Sequence, residues 1–200
     1  MESEHTRQRL VRAALELFTQ DGYEAATTGR IARKAGVAEG SIYRHFTGKA
    51  QLLNEIYRAA ARWAVTRAQE GSAGAENPRT RLRRAGEALA AGAAREPAVA
   101  KLFFSLRLGA VLDEKSLEAA REFSDWVAGV VAQGKADGSI RPGSAELWAA
   151  VWLAAVHLAV ERTAAREWQP DDASVRLTLD AAWRAIAADP TPPEAAPAAG

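Results

Sequence analysis

Cysteine is absent from the 200-residue sequence. That excludes disulfides, thiolate metal sites and cysteine nucleophiles. The three histidines, His5, His45 and His157, lack a metal-binding spacing such as H-E-x-x-H. No G-x-S-x-G elbow, phosphate-cradling glycine loop or dinucleotide fingerprint occurs. The adjacent acids Asp113-Glu114 and Asp171-Asp172 suit helix starts, where the macrodipole favours negative charge, better than catalysis. The expectation is a protein that is not an enzyme, with no catalytic residues, no metal and no cofactor. No run reaches the roughly 18 apolar residues expected of a membrane span. The N-terminal MESEHTRQRL is too polar for a signal peptide, so the expected location is the cytoplasm. Strand-like alternation is missing throughout, which leaves an all-α fold. Charge of one sign is also missing overall: 26 basic against 25 acidic residues leave a net +1.

What charge there is lies unevenly. Between Thr27 and Lys49 the basic residues Arg30, Arg33, Lys34, Arg44 and Lys49 face one acid, Glu39, for a local charge of about +4. The same stretch, TTGRIARKAGVAEGSIYRHFTGK, reads as two short helices about a tight turn. The first spans roughly 29–35, with Ile31, Ala32 and Ala35 on one face and Thr27 or Thr28 as cap. Gly36 suits the left-handed position past a helix end. The second spans roughly 39–46, with Val37, Ile42 and Phe46 inward and Ser41, Tyr43, Arg44 and His45 outward. This is a helix-turn-helix pattern at about 27–46. A basic face can be merely solvated. Here patch, turn and periodicity coincide, which favours a nucleic-acid backbone as partner.

The run formed by Thr27, Thr28, Ile31, Ala32, Ala35, Gly36, Val37, Gly40, Tyr43, His45, Phe46, Lys49, Leu52 and Leu53 resembles the DNA-binding signature of TetR (tetracycline-repressor-like) transcriptional regulators. The resemblance covers about the first sixty residues. Ala38 departs from it, since members often carry Ser or Thr there. The resemblance implies that Thr28, Tyr43, His45 and Lys49 meet phosphates or the groove wall of double-stranded DNA. It places Ala38, Glu39, Gly40, Ser41 and Arg44 at or near base edges. It also implies a homodimer joined by the last two helices, and repression rather than activation.

Periodicity and punctuation give about nine helices. The first is 6–20, after a frayed start, followed by the two above and a connector at 49–69. Pro78, Pro97, Pro142 and Pro170 mark first turns or the approach to them. They cut the remainder into 78–94, 97–107, 114–135, 145–167 and 172–188. Asn77, Ser144 and Asp171 or Asp172 are the expected caps. The domain reading is 1–50 for DNA binding, 51–188 for ligand binding and dimerisation, and a disordered tail over 189–200. From Leu147 to Val160 the chain is apolar all round save His157, so burial against a second copy is expected. The C-terminal half also holds most aromatics. Trp63, Phe103, Phe104, Phe123, Trp126, Trp148 and Trp152 are candidate walls for a small apolar or amphipathic effector. Arg107 is either paired structurally or aimed at an anionic ligand. The function expected is a ligand-released, palindrome-binding repressor. The alternative is a helical small-molecule-binding protein without DNA-binding activity.

Overall fold

The computed structural model describes residues 2–106 and 108–188. Eight α-helices and one 3-10 segment follow in order: α1 (Glu2–Gln20), α2 (Thr28–Ala35), the 3-10 segment (Glu39–Arg44), α3 (Lys49–Gly71), α4 (Pro78–Arg95), α5 (Pro97–Phe104), α6 (Glu114–Ala136), α7 (Ala145–Ala164) and α8 (Ala173–Ile186). The expected all-α class and nine helices hold among the described residues. The expected tail and Arg107 lie outside them. Helix α1 is not frayed at residues 2–5, because Glu, Gln and Arg are good helix formers from its first turn onward. Helix α5 stops at Phe104 rather than 107, and α7 at Ala164 rather than 167.

Local chemistry explains the boundaries. Thr27 Oγ1 accepts the Arg30 amide at 3.3 Å, Asn77 Oδ1 the Thr80 amide at 2.9 Å, and Ser144 Oγ the Leu147 amide at 3.0 Å. Each satisfies a helix-start N–H that has no carbonyl partner. Asp172 precedes α8 but turns its carboxylate back to the Gln169 amide, 2.7 Å away. Gly36 ends α2 at φ 64°, and its N–H reaches the Arg33 carbonyl.

Two cores form, and α3 runs through both. Leu52, Leu53, Ile56, Tyr57 and Ala60 join α1, α2 and the 3-10 segment in the N-terminal core. Ala64 and Ala68 belong to the C-terminal core with α4, α6, α7 and α8. The N-terminal core also takes in Leu102 and Leu108 from the end of α5 and the segment after it. The two cores therefore meet through α3, through the α5–α6 connection and where α1 packs on α5. An isolated antiparallel bridge, Ile140 to Ala187, pins the end of α8 beside the α6–α7 turn.

That α5–α6 connection ends in a charged cap. Asp113 accepts the Ser116 amide at 2.8 Å and two contacts from Arg58 at 3.1 Å. The Ser116 hydrogen bonds, with Arg58 assisting, hold the Asp113 carboxyl below its ordinary value. The stability it contributes is present above the unfolded carboxyl pKa and is lost as pH falls through the lowered one. Asp113→Ala should lower the neutral plateau of a melting-temperature-versus-pH curve and leave its acid end nearly unchanged, which flattens the acid limb. An unchanged acid limb would remove Asp113 from the account.

Candidate nucleic-acid interface

The outward face of the helix-turn-helix is set by what anchors its inward face. Ile42 and Phe46 are buried in the N-terminal core, as are Ile31, Ala32 and Ala35 of α2. With those fixed, Ala38, Glu39, Gly40, Tyr43 and Arg44 are exposed, and Thr28, Ser41, His45 and Lys49 half-buried. Tyr43 keeps 60% of its surface in solvent. The second element is a 3-10 segment of six residues, not the α-helix of 39–46 expected. Its start at Ala38 has no side-chain cap bond, Gly40 is a weak helix former, and only Ile42 and Phe46 tie it down. The Ser41 amide reaches Ala38 O and the His45 amide reaches Ile42 O, both at 2.9 Å with three-residue spacing.

The basic patch is partly spent within the fold. Arg30 reaches Asp21 at 2.6 Å and Ala25 O at 2.8 Å, and Lys34 pairs with Glu16 at 2.9 Å. Arg33 and Arg44 are exposed and carry no ion pair among the described residues. Lys49 donates to Tyr23 O at 2.8 Å and lies 4.0 Å from the Tyr23 ring centroid. It thereby latches the start of α3 to the α1–α2 turn. Glu39 bends back toward α2: Thr28 Oγ1 donates to its carboxylate at 3.4 Å, and Gly29 leaves room for it.

Two roles were not separable in the sequence. Arg7 pairs with Glu55 and stacks over the Phe46 ring, 5.4 Å from its centroid. Arg9 donates to Gly36 O at 2.8 Å. Arg9 and Arg12, with Lys34, edge a small groove beside α2. Their three-residue spacing on α1 is the signal that places them on one side.

The candidate effector aromatics all lie in or against the C-terminal core, with Trp63 and Trp126 lining different cavities. Phe103, Phe104 and Phe123 pack edge-to-face on one another with centroids 4.9–5.8 Å apart, and His157 stands against Phe104 at 6.2 Å. Phe123 and Trp152 are buried in the C-terminal core. Trp148 donates to Pro142 O at 3.2 Å and lies under Arg141. Trp126 edges a groove at the far end of α3, beside Gln69 and Ser72. Trp63 lines a cleft of about 390 Å³, walled by α1 and the start of α5 rather than by α7. Arg107 lies outside the described residues. No helix among them is long and apolar enough to cross a membrane.

Residues 10–56 match the family model described as bacterial regulatory proteins, tetR family. Over 55 residues the chain is 51% identical to the HTH-type transcriptional regulator SrpR of Pseudomonas putida, covering 28% of this chain and 26% of that one. Over 76 residues it is 33% identical to the HTH-type transcriptional repressor KstR2 of Mycobacterium tuberculosis, 38% of each. The matched stretch thus spans between a quarter and two-fifths of these curated relatives. The fold extends the likeness to nearly the whole chain. A TetR family transcription regulator from Marinobacter aquaeolei VT8 superposes with a TM-score of 0.80 at 20% identity, covering 94% of this chain and 98% of that one. Residues 10–56 thus carry the helix-turn-helix domain of the tetR family of bacterial regulatory proteins, on an all-helical body that shares the fold of a solved TetR family regulator.

Proposed function

We propose that the chain is a homodimeric, ligand-responsive repressor that binds a palindromic operator and is released by a small molecule. One observation carries the reading. The 3-10 segment holds Tyr43 and Arg44 in solvent, on a unit where Arg12 and Arg33 are also exposed without an ion pair among the described residues, while Arg7, Arg30, Lys34 and Lys49 are engaged within the fold. Residues 1–50 read DNA in this account, and residues 51–188 dimerise and respond to the effector. Thr28, Tyr43, His45 and Lys49 lie along the backbone of the duplex. Ala38, Glu39, Gly40, Ser41 and Arg44 lie toward base edges. Phosphate contacts position and base contacts specify. Dimerisation through α7 and α8 sets the spacing of two recognition segments to about one turn of DNA or a multiple of it.

A mobility-shift titration on the DNA flanking its own gene tests this. Arg44→Ala should relax specificity at one position per half-site, by about 1–3 kcal/mol if the guanidinium holds a guanine. Lys49→Ala should weaken all sequences alike. If Lys49 reaches phosphate, the salt slope also falls by about one counterion per subunit. A slope left unchanged with weaker binding would assign Lys49 to the Tyr23 latch instead. Wild-type binding by both variants across several salt concentrations would overturn the DNA-facing assignment.

A further inference from the structure

The cleft against Trp63 joins the two cores. Val11 and Leu15 of α1, Ile56 of α3 and Val99 of α5 supply its apolar lining. Its volume of about 390 Å³ falls in the range of small-molecule sites, roughly 300–1,000 Å³. The Trp63 wall is fixed. Its Nε1 donates to Glu96 at 2.7 Å, and Gly92 sits directly behind it, where an added Cβ would lie 2.8 Å from the indole.

The charges lining the cleft, Arg7 and Arg62 against Glu55 and Glu96, sum to zero but are unevenly paired. Arg7 and Glu55 form an ion pair. Glu96 is taken by the Trp63 indole and by Arg67, 3.6 Å away. Arg62 lines the same cleft, is exposed, and has no ion pair among the described residues. An apolar floor under one unmatched guanidinium is complementary to an apolar body carrying one acid group.

We propose that this cleft between α1, α3 and the start of α5 is a binding site for a small monoanionic amphipath. Its acid group meets Arg62, and its apolar body lies between Leu15 and Val99. Its occupant touches α1 of the DNA-reading unit and α5 of the body at once. A ligand that prefers one separation of these walls is therefore coupled to the set of the helix-turn-helix. That coupling rests on the proposed DNA-binding function; the site itself does not.

Two fluorescent probes differing by one sulfonate test it: 1-anilinonaphthalene-8-sulfonate and its uncharged counterpart N-phenyl-1-naphthylamine. Both should bind the wild type saturably at one site per subunit. Arg62→Ala should weaken the sulfonate about tenfold, the loss of one charge-assisted contact, and leave the neutral probe unchanged. Leu15→Trp, which fills the cleft from α1, should abolish both. Val99→Trp fills it from α5 and serves if the first fails to fold by circular dichroism. Absence of saturable binding to the wild type overturns the site. So does a folded filling variant that retains wild-type affinity, or an Arg62→Ala that moves both probes alike or neither. On DNA flanking its own gene, saturating sulfonate should release wild type and spare a filled variant. Release of both, or of neither, overturns the coupling alone. Failure of the wild type to bind any such DNA overturns the repressor reading and leaves the site standing.

Discussion

Leu158→Lys combined with Leu177→Lys is expected to yield a folded monomer whose operator affinity falls by two or more orders of magnitude. Leu158 is 41% and Leu177 66% exposed. With Val151, Ala154 and Ala181 they line a shallow apolar depression of about 530 Å³ between α7 and α8. A contiguous apolar patch of this kind marks an association surface more often than a solvated one. A two-fold interface presents each residue twice, so four leucines leave water together. At about 1.5–3 kcal/mol for each buried side chain, roughly 6–12 kcal/mol of association is at stake as an upper bound. Four lysine charges would add a desolvation penalty. Leu153→Lys is the contrasting variant, because Leu153 is half-buried against its own core and should cost folding instead. Sedimentation at micromolar concentration reads the outcome. A wild-type monomer, or a double variant that sediments as a dimer, would sink the α7–α8 interface.

That face was not legible from residues 147–160. A helix apolar on every side has no preferred direction, so only its neighbours decide which side is covered. The structure buries Trp152, Val156, Ala159 and Val160 and leaves Leu147, Ala154 and Leu158 outside. The caps were legible, because Thr27, Asn77 and Ser144 each act on an amide three residues away. The inward set of the helix-turn-helix was legible as well, since Ile31, Ala35, Ile42 and Phe46 repeat at helical spacing. Its 3-10 geometry was not, because a six-residue turn takes its pitch from what packs beneath it. The aromatics were legible as the packing of one half, since Trp126, Trp148 and Trp152 all lie in or against the C-terminal core. Which of them border a cavity depends on rotation about α6 and α7, which a count of aromatics does not give. The basic patch was legible as a charge count. Its pairing with Glu16 and Asp21 depends on how α1 crosses α2.

The contact least visible in the sequence carries the second large expected effect. Asn54, 4% exposed on α3, looks like an unremarkable polar residue one turn past the helix start. Its Nδ2 donates to Ala50 O at 2.9 Å and to Val111 O at 3.1 Å, and its Oδ1 accepts the Asp113 amide at 2.8 Å. Arg58, one turn on, donates to Asp113 and to Ser116 Oγ, each at 3.1 Å. These partners lie more than fifty residues downstream, beyond the reach of any local pattern. Together they clamp the N-terminus of α6 to the half of α3 that belongs to the N-terminal core. Asn54→Leu conserves much of the volume and leaves the Val111 carbonyl and the Asp113 amide without partners. Each orphaned group costs about 1–3 kcal/mol, so the loss should be roughly 2–6 kcal/mol out of a typical 5–15 kcal/mol for a whole domain. Asn54→Asp keeps the acceptor for the Asp113 amide but turns a buried carboxylate oxygen onto the Ala50 and Val111 carbonyls, so it should lose at least as much. Urea unfolding measures the stability, and amide exchange over residues 108–118 locates the change. With the clamp gone, α3 is held to the body by α4, α5 and α6 packing alone. Ligand-free DNA affinity should then fall even at temperatures where the variant is fully folded. If Asn54→Leu unfolds within 0.5 kcal/mol of wild type, an order-of-magnitude margin for a surface substitution, or binds operator equally well, the clamp does not join the two cores.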